Sequence, residues 1–152
     1  MTAVTKVYQV LIHANPEAVF AAVADLTRHP EWSGDRLRIE PRSAGPIAVG
    51  AEYISHGDIP GQKDRPNQLR VTEYQPPSRF AFVARDPSFG DVVHTFRCTP
   101  QDGATLVERT VTVTLPLPMA LVFRALIYPL VGKPSMARAM AKLKANLEQP
   151  TA

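Results

Sequence analysis

Apolar residues alternate with polar ones at the start of the chain: Tyr8, Val10, Ile12 and Ala14 fall on one face and Gln9, Leu11 and His13 on the other. That period of two predicts a half-buried strand over residues 8–14. Asn15 then offers a helix N-cap, Pro16 suits the first helical position and Glu17 favours the positive helix end. Val19, Phe20 and Val23 supply an apolar stripe, so a short helix should run to about Asp25. Pro30 and Gly34 limit any second helix to about one turn before the chain re-extends through Leu37 and Ile39.

Five more alternating runs follow, at 51–57, 68–74, 79–85, 92–99 and 105–115. Turn-rich stretches separate the later elements, at Ser43–Pro46, Asp58–Asn67, Pro76–Ser78, Asp86–Gly90 and Pro100–Gly103. Closely spaced strands with short connections imply an antiparallel meander. After Pro118 the period becomes helical. Met136, Met140, Leu143 and Leu147 recur on one face, opposite Arg138, Lys142 and Lys144. Pro129, Gly132 and Pro134 predict a kink or break within this last segment.

One strand, two short helices, six strands and a long C-terminal helix is the order of the helix-grip fold. The stretch VLIHANPEAVFAAVADLTRHPEWSG resembles the opening of the START-like (SRPBCC, Bet v 1-like) superfamily, with its proline-glutamate step into a helix and its following tryptophan. VGAEYISHG, LRVTEYQPPSRFAFVAR and FRCTPQDGATLVERTVTVTLP are similar to strands of its bacterial polyketide cyclase/dehydrase and lipid-transport-like members. The resemblance spans nearly the whole chain. It implies one α+β domain over residues 1–152, with a curved antiparallel sheet of about seven strands gripping a long C-terminal helix.

Composition narrows this picture mainly by exclusion. A chain of 152 residues, 45% hydrophobic and 20% charged, can bury a core without staples. Cys98 stands alone, so no internal disulfide or cysteine-built zinc site forms, and a reducing, cytoplasmic setting is expected. No secretory pattern opens the chain, and the apolar run 115–132, broken by prolines and Arg124, is too short for a membrane span. The net charge of +3 is spread too evenly for a nucleic-acid binder. No G-x-S-x-G, HExxH or phosphate-loop pattern occurs, so neither a metal nor any other cofactor is expected.

A curved sheet closed by one helix leaves a hollow, which is the default site. Alternation places Phe80, Phe82 and Ala84 on one inner face, His94 and Phe96 on the next strand's, and Arg109 with Val107 and Val111 on the last. Trp32, Tyr53, Phe123 and Tyr128 complete the candidate ligand-binding set, each with core packing as the plain alternative. His94 and Arg109 sit on apolar faces, where each needs a partner, a water or a ligand. Arg109 either faces the pocket, where its fork suits a carboxylate or enolic oxygen, or pairs internally with Glu73 or Glu108.

Three functions remain open at this point. The first is binding of a small hydrophobic molecule: a lipid, an isoprenoid or a polyketide-like compound. The second is polyketide cyclisation or dehydration, with His94 moving a proton and Arg109 steadying an enolate. The third is a membrane or protein interaction through the basic C-terminal helix, from Arg124 to Lys144. Catalytic residues and oligomeric state are not fixed by the sequence.

Overall fold

The computed structural model describes residues 1–34, 36–59, 61–87 and 90–149. The turn expected at Asp86–Gly90 therefore lies partly outside the described residues. Seven strands, β1 (Thr2–Ile12), β2 (Arg38–Pro41), β3 (Glu52–Ile59), β4 (Gln62–Gln75), β5 (Arg79–Asp86), β6 (Gly90–Gln101) and β7 (Ala104–Leu115), form one curved antiparallel sheet. Their order is β1-β7-β6-β5-β4-β3-β2. Consecutive strands from β2 to β7 are hairpin neighbours, and only the step from β1 to β2 crosses the sheet.

That crossing is made by α1 (Pro16–Ala24) and a 3-10 helix, Leu26–Glu31. The Asn15 side chain accepts a hydrogen bond from the Ala18 amide at 2.8 Å, the capping that the sequence predicts. Val19, Phe20 and Val23 turn into the core. At the β6–β7 hairpin Asp102 and Gly103 both take positive φ, 50° and 80°, the two-residue turn whose twist matches that of the strands.

The C-terminal region is helical throughout, as α2 (Leu117–Val122), a π-helical segment (Phe123–Gly132) and α3 (Lys133–Glu148). The kink or break expected from Pro129, Gly132 and Pro134 takes the form of wider π turns that interrupt the α-helix: the Lys133 amide donates to the Tyr128 carbonyl, five residues back. In α3 Met136, Met140 and Leu143 are buried as their spacing predicts. Complete burial of one such side chain stabilises by about 1.5–3 kcal/mol. Lys144 donates to the Leu11 carbonyl at 2.7 Å and the His13 amide to the Glu148 carboxylate at 2.8 Å, tying the end of α3 to β1.

One expected turn is a strand. The stretch Asp58–Asn67 reads as polar loop, but β3 and β4 run on through it, with His56 opposite Pro66 and Ile59 opposite Gln62. Buried Arg65 anchors this extension through an ion pair with Asp86 and a hydrogen bond to Gln62 at 2.9 Å. The β4–β5 register begins at Gln68, so among the described residues Pro66 sits in an edge stretch, where the missing N–H costs little.

Candidate functional site

The register of β1, β7, β6 and β5 lays inward-pointing side chains out in two adjacent rows. One row runs Tyr8–Arg109–Phe96–Phe80, and the next runs Lys6–Val111–His94–Phe82. Each row carries a cation near the β1 edge and aromatic rings toward β5. The aromatic end is packed solid. His94 stacks on Phe82 with centroids 4.6 Å apart, and His29 and Trp32 of the β1–β2 connection close over Phe96 at 5.9 and 6.0 Å. His29 Nε2 donates to the Val23 carbonyl at 2.8 Å.

The cationic end is open. A cavity of about 250 Å³ lies between the sheet and the C-terminal helices. Lys6, Arg109 and Val111 form its floor, Phe123, Tyr128 and Gly132 its roof, and Ser33, Met136 and Ala139 its far side. Gly132 lets the roof close: a Cβ there would stand 2.9 Å from Tyr128 Cδ2. The Lys6 ammonium lies 5.0 Å from the centroid of the Tyr128 ring.

Arg109 is the exceptional group. Its guanidinium carbon stands 5.4 Å from the Phe96 ring and 5.8 Å from the Trp32 ring. Neither carboxylate that the sequence offers as a partner engages it. Glu73 pairs with Arg79 at 3.1 Å, and Glu108 accepts from Gln9 at 2.8 Å. Arg109 Nε is buried without a hydrogen-bond partner, as are Trp32 Nε1 and His94 Nδ1 in the same layer.

Burial sets the charge states. It lowers Arg109 to about 10, which leaves the guanidinium charged at neutral pH. His94 falls to about 3, first by burial, then by the nearby Arg109 and His29 charges. His29 falls to about 4, again chiefly by burial. Both rings are therefore neutral at pH 7, and Arg109 is the charge that faces the cavity from the layer. Burial also pushes the Cys98 thiol up to about 12, where it is no nucleophile. Among the described residues no three His, Cys, Asp or Glu side chains group as metal ligands.

Of the nine ligand-binding candidates, Arg109, Phe123 and Tyr128 border this cavity. Trp32, Phe82, His94 and Phe96 form the packed layer beside it, and Phe80 is wholly buried behind Phe96. Tyr53 borders a different and larger groove of about 890 Å³ near β3–β5, with Arg42, Arg70 and Arg85. There Arg85 is paired with Asp91 at 2.9 Å, and the smaller cavity is the stronger site because Arg109 on its wall has a buried Nε without a partner among the described residues. Lys6, Ser33 and His29 were not among the sequence candidates. Lys6 continues the β1 alternation two residues before Tyr8, whereas no periodicity marks Ser33 or His29.

A family model described as polyketide cyclase/dehydrase and lipid transport matches residues 2–148. No curated protein sequence matches the chain. Many solved structures share the fold. One is a Chromobacterium violaceum protein, 18% identical with a TM-score of 0.72, the alignment covering 96% of this chain and 99% of that one. Another is a Colwellia psychrerythraea protein described as the Aha1 dimer, 16% identical with a TM-score of 0.69, covering 98% and 99%. A third is Ara h 8.0201, 14% identical with a TM-score of 0.68, covering 97% and 100%. At these identities the likeness concerns the fold alone.

Proposed function

The chain belongs to the polyketide cyclase/dehydrase and lipid-transport family, and we propose that it binds a small amphipathic acid, apolar in its body and anionic or enolic at one end, in the cavity roofed by Phe123 and Tyr128. The observation that carries this reading is Arg109, a half-buried guanidinium on the cavity wall whose Nε is shut off from solvent, with no counter-charge among the described residues. An uncompensated cation is costly to bury, and a bound carboxylate or enolate removes that cost with charge-assisted hydrogen bonds. The apolar remainder of the ligand lies against Val111, Phe123 and Met136.

Burying about 300 Å² of apolar ligand surface supplies about 7 kcal/mol gross, and a hydrogen bond to a charged group adds about 1.5–3 kcal/mol. After association costs this supports micromolar binding. The cyclase alternative has less behind it. An arginine would steady an enolate, but His94 at about 3 is too weak a base to carry its proton at neutral pH.

Trp32 is the chain's one tryptophan and stands 5.8 Å from the Arg109 guanidinium, so its fluorescence reports on the site. Medium-chain and aromatic carboxylic acids, titrated against their methyl esters, should quench or shift that emission, the acids binding at least about ten-fold tighter, equivalent to about 1.4 kcal/mol. Arg109→Met should erase the difference. Equal affinity of acid and ester for the unsubstituted protein would sink the anionic-ligand reading.

A further inference from the structure

Among the described residues twelve large hydrophobic side chains are exposed, and eight of them fall between Leu117 and Val131. The other four are scattered along the chain. In this stretch only Ala120 is buried, with Phe123 and Tyr128 half-buried, so α2 and the π-helical segment present nearly their whole outer surface as apolar side chains. Leu126 is 55% and Leu130 71% exposed. Patches of this kind mark a docking face.

Charge says what covers it. No aspartate or glutamate occurs between Glu108 and Glu148, while Arg124, Lys133, Arg138 and Lys142 are all exposed beside the apolar surface. A second copy docked on the same face would gather the Arg124 and Lys133 cations of both copies at one interface with no acidic residue from this stretch to answer them. An anionic lipid surface offers both an acyl boundary for the leucines and headgroups for the cations. Among the described residues no helix is long and apolar enough to cross a membrane.

We propose that the segment Leu117–Lys133 seats the protein on an anionic bilayer, with Leu121, Leu126 and Leu130 at the acyl boundary and Arg124 and Lys133 among the headgroups. The inner side of the same segment, through Phe123, Tyr128 and Gly132, roofs the cavity. Docking thus sets the cavity roof against the reservoir in which apolar molecules partition. This inference does not require the cavity to bind any particular ligand.

The test is co-sedimentation of the full chain with phosphatidylcholine vesicles, with and without about 30% phosphatidylglycerol, at low and high salt. Binding should appear with the anionic vesicles, exceed that to phosphatidylcholine alone by about ten-fold, and weaken as salt rises. Leu126→Ser with Leu130→Ser should abolish it while the thermal melt stays in place, since both side chains are exposed. Arg124→Gln with Lys133→Gln should remove the preference for the anionic lipid. Absence of binding to anionic vesicles at low salt overturns the proposal, and so does binding that survives the double serine variant. A concentration-dependent dimer that the serine variant dissociates also overturns it, in favour of a second copy as occupant.

Discussion

Replacing Arg109 with methionine should make the protein more stable and its site useless. Methionine keeps the aliphatic stem but ends near the position of Nε, so the charge is removed from a layer where Trp32 and Phe96 flank it at 5.8 and 5.4 Å and no carboxylate among the described residues answers it. The burden of that charge is gauged by its displacement from the ordinary guanidinium value down to about 10 by burial, which at about 1.4 kcal/mol per pH unit sets an upper bound near 3 kcal/mol. Lost cation–π contacts of about 0.5–1 kcal/mol, and the hydration that the cavity gives the guanidinium, reduce the net gain to about 1–2 kcal/mol. For a chain of this size that raises the melting temperature by about 2–8 °C. Because the folded-state value is depressed only to about 10, the arginine is charged in both states at lower pH, so the gain should be flat between about pH 7 and 9. Urea midpoints and calorimetric melts on both proteins measure it. A methionine variant less stable than the parent by 1 kcal/mol or so would show that the guanidinium has a counter-charge in solution, and the argument for an anionic ligand would fall with it.

His29 and His94 make stability acid-sensitive. Both are depressed in the fold, to about 4 and about 3, so the stability of keeping them neutral is full above pH 6.5 and is lost as pH falls through 6.5 toward those values. The limiting slope is about 1.4 kcal/mol per pH unit for each ring. His94→Phe, which preserves the stack on Phe82, should remove one ring's share between about pH 6 and 4.5, and parallel pH profiles for the two proteins would refute the assignment. Gly132→Ala probes the cavity roof. The added methyl, 2.9 Å from Tyr128 Cδ2, must push that ring toward Lys6 and the cavity, while alanine's higher helix propensity offsets the strain. Stability should stay within about 1 kcal/mol of the parent while carboxylate affinity drops several-fold by the Trp32 titration, and unchanged affinity would mean that Tyr128 does not bound the ligand.

The strands and α1 were legible because their signals are local. Period-two alternation and the Asn15-Pro16-Glu17 cap need no knowledge of neighbours. The misread elements depend on contacts distant in sequence. The polar run from Gln62 to Asn67 looks like loop because its strand pairing comes from β3 and its anchor is the Arg65–Asp86 ion pair, twenty-one residues apart. At Pro129 and Gly132 the sequence signals that the regular helix is interrupted, but no local pattern tells π turns from a kink or a break.

The same division governs the site. That Arg109 stands on an apolar face follows from β7 alone. That it stands there unpaired does not, since Glu73 and Glu108 are both plausible partners until the register hands one to Arg79 and the other to Gln9. Among the described residues, Arg109, His94 and Trp32 each leave an unanswered buried nitrogen in one layer, a concentration that departs from local consistency. Such a concentration has a physical reading. Stability given up in that layer is recoverable only by something that arrives after folding, and the cavity beside Arg109 is where it would arrive.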